Sequence, residues 1–96
     1  MTNKTDLNRE LAEALDWGIA ENCVDLFVVF PDETMPRLFD PLHDDAQCMR
    51  LAKQHQMIVN FYNNTVVDHL GNEISRGKTV NEAIIKALIK LLRGQP

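Results

Sequence analysis

The chain of 96 residues is short of several things, and each shortage narrows its chemistry. It holds one serine, Ser75, and no Gly-x-Ser-x-Gly, so a serine-hydrolase centre has no nucleophile to activate. No apolar run approaches the length that crosses a bilayer; the longest, "VDLFVVF" from 24 to 30, has an aspartate inside it. The opening "MTNKTDLNRE" is polar and lacks the apolar segment of a secretory signal, which predicts a cytoplasmic protein with no membrane partner. Two cysteines, Cys23 and Cys48, fall short of a disulfide framework and read as reduced packing residues. Internal repeats, low-complexity tracts and linkers are absent too, so a single domain over 1–96 is expected.

Positive charge is also scarce: ten Lys and Arg stand against fourteen Asp and Glu, a net charge of −4. A chain that is acidic overall lacks the basic footprint of a nucleic-acid binder. The charge is unevenly placed. Residues 1–48 carry eleven acids and three bases, and residues 49–96 carry three acids and seven bases. A split of this kind either guides association or is mixed over the surface of one small fold.

What is present is alternation of helical and strand patterns. Leu7, Leu11 and Leu15 recur at i+4, predicting a helix from about Asp6 to Trp17 with Thr5 or Asp6 as its cap and Gly18 ending or bending it. "DLFVVF" (25–30), β-branched and closed by Pro31, reads as a buried strand. The three prolines of 31–41 predict a surface loop, after which Asp44 or Asp45 caps a helix running to Gln54. "MIVNFY" (57–62) and "TVVDHL" (65–70) read as a hairpin turned at Asn63–Asn64, with "NEIS" a short extension. Thr79 and Glu82 form a T-x-x-E capping box before a helix whose apolar face includes Val80, Ala83, Ile84, Ala87, Leu88 and Leu91. The face is wide enough to predict burial under a sheet and against a second subunit, a homodimer. The expected fold is α+β: a small, largely antiparallel sheet with helices packed on both faces, in the order α-β-α-β-β-α.

"GNEISRGKT" (71–79) imitates a phosphate loop. The pattern G-x-x-x-x-G-K-[ST] needs its first glycine at position 72, where Asn72 stands, and Gly71 comes one place too early. Loop length matters because successive N–H groups must wrap the phosphates. An NTPase is therefore not expected. A weaker expectation survives, that the helix entrance Arg76, Gly77, Lys78 and Thr79 cradles an anion or phosphate without catalysis. The bland account is that Gly77 turns the chain, Thr79 caps, and the charges are solvated.

His43, Cys48, His55, His69 and Cys23 invite a zinc reading. Cys48 and His55 would lie about 10.5 Å apart along one helix, too far to share an ion. No metal or other cofactor is expected. "HDD" (43–45) and Asp32–Glu33 supply carboxylates and an imidazole, but adjacent residues at a helix entrance point in different directions, so no enzyme is expected either.

Residues 41 to 92 add a resemblance. "PLHDDAQCMRLAKQHQ", a strand hairpin, then "GKTVNEAIIKALIKLL" with Thr79, Glu82-Ala83-Ile84 and Ala87-Leu88 resembles the small phage ABA-sandwich domain proteins. That family often carries tryptophans in the second helix and the strands; here the single tryptophan is Trp17. The resemblance implies a phage or prophage accessory protein, in the host cytoplasm, with helices on both faces of a sheet and no catalytic residues. The function expected is non-catalytic binding. One specific form is a sponge that sequesters a host nucleotide signal, a phosphate-containing small molecule, at Arg76–Thr79. The other is an inhibitor of a host protein, an enzyme, through the acidic surface of Asp32, Glu33, Asp44 and Asp45.

Overall fold

The computed structural model describes residues 4–21, 26–31 and 33–94. Among these, three helices and six short strands follow one another: α1 (Lys4–Leu15), β1 (Gly18–Glu21), β2 (Leu26–Val29), β3 (Arg37–Leu38), α2 (Asp45–Gln54), β4 (Ile58–Asn60), β5 (Thr65–Val67), β6 (Glu73–Arg76) and α3 (Val80–Leu92). All strand pairing is antiparallel. The α+β class is as expected, but the strands fall into two three-stranded sheets, β1-β2-β3 and β4-β5-β6, where one sheet and fewer strands were foreseen.

The division has a local cause. Both edges of β2 are filled by nearby chain, β1 on one side and β3 on the other. The hairpin of β4 and β5 then has no free edge of β2 to join, and it builds its own sheet with β6. The stretch foreseen as a loop after Pro31 therefore contains an edge strand, and its two residues lie between Pro36 and Pro41, where proline is tolerated because one edge needs no donors.

Helix α3 sits at the centre. It packs on β4–β6 and against α1 and α2, while α1 also meets β2. Helix α3 thus covers one sheet and α1 meets the other. Ala83, Ile84, Ile85, Ala87 and Leu88 have no exposed surface, so this part of the apolar face is covered within the chain, while Leu91 and Leu92 at its end are partly exposed. At about 1.5–3 kcal/mol per fully buried aliphatic side chain, this helix is a principal source of the fold's stability. The other end of the core is aromatic: Trp17 lies 5.0 Å from Phe30 and 6.2 Å from Phe39, ring centre to ring centre. The guanidinium groups of Arg37 and Arg50 stand 5.1 and 5.7 Å from the centre of the Phe30 ring, each a cation–π contact.

Helix ends account for most of the remaining local structure. α1 begins by Lys4, so Thr5 and Asp6 lie inside it, and it stops at Asp16, which takes φ 58°. Gly18 is therefore not the helix terminator; it opens β1. α2 is capped by Asp44, whose carboxylate accepts from the Gln47 N–H at 3.1 Å. It closes in a Schellman pattern, with Gln56 at φ 54° and the Met57 N–H donating to the Ala52 carbonyl at 2.9 Å. The β4–β5 connection is four residues, 61–64, with Asn64 left-handed at φ 55°, instead of a two-residue turn. Strand β5 ends early because the Asp68 carboxylate accepts from the N–H groups of Leu70 and Asn72, folding 68–72 into a tight loop.

Candidate functional site

The approach to α3 gathers the four residues foreseen as an anion cradle, and two of its backbone donors already have acceptors. The Gly77 N–H donates to the Asn64 carbonyl at 3.1 Å. The Lys78 N–H donates to Glu82 Oε2 at 2.8 Å, and the Glu82 N–H to Thr79 Oγ1 at 3.2 Å. The capping box is thus present but reaches one residue further back than the usual form, to Lys78 instead of Thr79. Arg76 is held by Glu73 at 2.8 Å. The carboxylate of Glu82 thus accepts from the backbone just before the helix. That contact, with the Lys86 ammonium 3.0 Å away, holds its carboxyl below the usual glutamate range. Gly77 is required by close approach: a Cβ there would stand 2.8 Å from the Ala83 nitrogen and 2.8 Å from Glu82 Cβ.

A second constellation lies where α2 begins. Asp40, before the helix, accepts from the Asn8 amide at 2.7 Å and stands 3.0 Å from His43 Nδ1. Gln47 on the first turn donates to the Leu38 carbonyl at 2.7 Å and accepts from the Asp40 N–H at 2.9 Å. Asp45 accepts from the Asn81 amide at 2.8 Å, and the same amide donates to the Leu42 carbonyl at 3.1 Å. These bonds tie α1, the 38–43 segment, α2 and α3 together. His43, Asp44 and Asp45 do point to different partners, as their adjacency implied.

Ion pairing divides the acids of the described residues, and Asp16 and Asp68, away from this site, also have no lysine or arginine within 4 Å. Glu10, Glu13, Glu33, Glu73 and Glu82 each face a lysine or arginine within 4 Å. Among the described residues, Asp44 and Asp45 have no such partner, and Asp40 meets only His43. Three aspartates therefore give this rim an excess of negative charge over Arg37, which is tied to Glu33, and His43, which meets Asp40. Asp32, named with them in the acidic surface, lies outside the described residues; Glu33 is tied to Arg37 at 3.0 Å.

Two depressions share this rim. One, of about 750 Å³, runs past Arg37, Asp40, His43, Asp44 and Asp45. The other, of about 480 Å³, has an apolar wall of Leu42, Met49, Phe61 and Val80, with His43, Asp45 and Asn81 at its polar side. Phe61 and Tyr62, in the β4–β5 turn, are 64% and 98% exposed. Neither was foreseen as a site residue, because the turn was read as strand. Asn8 and Asn81 were missed as well, although each is a polar residue on an otherwise apolar helix face, beside Leu11 and Ala12 or Ile84 and Ile85, and each is almost fully buried.

Of the metal-type side chains, Cys23 lies outside the described residues, and no three His, Cys, Asp or Glu come together among those described. Cys48 is fully buried, its thiol donating to the Asn81 carbonyl at 3.9 Å. Burial, with the Asp45 charge nearby, pushes the thiol up to about 12, away from the thiolate form. No helix among the described residues is long and apolar enough to cross a membrane. No protein-family model, curated protein or solved structure matches this chain.

Proposed function

We propose that this chain is a non-catalytic binding protein whose partner is another protein, held where α2 begins and the β4–β5 hairpin turns. The observation that carries the reading is the exposed aromatic pair Phe61–Tyr62 beside an apolar depression. Aromatic side chains supply large contact area at small entropic cost and are enriched in the centres of protein interfaces. The resemblance of residues 41–92 to phage ABA-sandwich proteins makes a host protein the natural partner and blockade of a host enzyme its use. A nucleotide sponge at Arg76–Thr79 has weaker support, because the backbone donors there serve Asn64 and Glu82.

The test is site-directed photo-cross-linking in cells that make the protein, with the cross-linker at position 62 or, as a control, at the exposed position 53 on α2. A protein-mass adduct formed from position 62, absent from position 53 and lost with Phe61→Ser, is the expected result. An adduct of this chain's own mass would identify the partner as a second copy, the homodimer. Equal adducts at both positions, or none at 62, would overturn the reading.

A further inference from the structure

The apolar depression is bordered by carboxylates that no lysine or arginine faces among the described residues. Its wall of Leu42, Met49, Phe61 and Val80 meets Asp45 and His43, which also line the larger depression that continues to Asp40 and Asp44. The glutamates at five other positions are ion-paired, whereas among the described residues none of these three aspartates faces a lysine or arginine. Asp44 and Asp45 each keep acceptor capacity, since a carboxylate has about four lone-pair sites and the bonds to the Gln47 N–H and the Asn81 amide use only part of it. A neighbouring group that supplied cations would find free acceptors beside an apolar seat.

We propose that this groove takes a cationic, apolar peptide segment of a partner protein, with an aliphatic or aromatic side chain against Phe61 and Met49 and an arginine or lysine on Asp44 and Asp45. The assignment rests on the protein-binding reading above and adds the chemistry of the partner. An acidic or neutral segment would leave the rim charges unmatched, and a purely cationic one would leave the apolar wall wet. Arginine suits the rim best, because its planar fork can meet carboxylates two bonds at a time.

Fluorescence anisotropy of two short labelled peptides tests this on the whole protein, one of leucine and arginine and one of leucine and glutamate. The leucine–arginine peptide should bind, more weakly as salt rises, and the leucine–glutamate peptide should not. Phe61→Ser, at an exposed position, should weaken binding about tenfold or more, a loss typical of an interface centre. The double variant Asp44→Asn/Asp45→Asn should weaken it comparably. Asparagine still caps a helix and still offers Asn81 an acceptor, so circular dichroism and Tm should show this variant folded. If both peptides bind equally and Phe61→Ser weakens both, the charge assignment falls while the binding surface stands. If binding is indifferent to Phe61→Ser, the groove is not the site and both readings fall.

Discussion

The side-chain amide of Asn81, on the first turn of α3, donates to the Asp45 carboxylate on the first turn of α2 at 2.8 Å, across 36 residues of sequence. The same amide group donates to the Leu42 carbonyl. One neutral side chain therefore locks two helix entrances together and holds Asp45 on the rim of the groove. Asn81→Ala should leave two acceptors unpaired and cost about 1–3 kcal/mol in urea unfolding. Asn81→Asp should cost more at neutral pH, because it sets a second carboxylate against Asp45, and should recover in acid as one of the pair protonates. The exchange Asn81→Asp/Asp45→Asn should regain part of the loss. No recovery in the double variant would mean that the pair is not coupled.

Gly77 and Gly18 should respond oppositely to alanine. At Gly77 the new methyl would stand 2.8 Å from the Ala83 nitrogen, a backbone atom that cannot swing aside. Gly77→Ala should therefore lower stability by about 1–3 kcal/mol, the usual range for overpacking. At Gly18 the nearest atom is Val29 Cβ at 3.6 Å, an ordinary contact across β1–β2. Gly18→Ala should be neutral or mildly stabilising, since it restricts the unfolded chain at no steric cost. Thermal melts of the two variants decide it, and similar losses at both positions would contradict the geometry.

The parts of this structure readable in the sequence are those written into a few consecutive residues. Thr79 announced itself as a cap by residue type and by the helical pattern after it, and caps as expected; of Asp44 and Asp45, both offered as caps by type, it is Asp44 that caps. The core strand Leu26–Val29 was legible from its β-branched run. The strands β1 and β3 were not, because "GIAE" has no clear alternation and Arg37–Leu38 is two residues among prolines, extended only through pairing with β2. Gln56 was silent for a similar reason: its left-handed backbone follows from the Schellman closure, with no glycine or asparagine to advertise it. The groove was least legible. Its polar contacts, Asn8 to Asp40 and Asn81 to Asp45, join residues 32 and 36 apart, and pattern within a window cannot report such pairings. At the foreseen cradle, Arg76–Thr79, the Gly77 N–H is bonded to the Asn64 carbonyl, a tertiary partner that local pattern does not report, and the Lys78 N–H to the helix's own Glu82.

The contact of Glu82 with the chain before α3 carries a pH signature. Its carboxyl lies below the ordinary 4.5, first because the Lys78 N–H bonds its charged form and then because Lys86 lies beside it. A folded-state value below the unfolded one means that the unfolded chain binds the proton more readily. The stabilisation is then fully present above pH 4.5 and is lost as the pH falls through the lowered folded value. Glu82→Gln keeps the shape and an acceptor but removes the charge. The variant should be less stable than the parent at pH 7, and the gap should close in strong acid, where the parent's carboxyl is also neutral. Asp68, lowered by the Asn72 N–H, contributes in the same direction to both proteins and cancels from the difference. Urea midpoints of parent and variant across the acid range measure that gap. A gap that stayed constant from neutral pH into strong acid would show that the charged form of Glu82 is not what the Lys78 N–H and Lys86 hold.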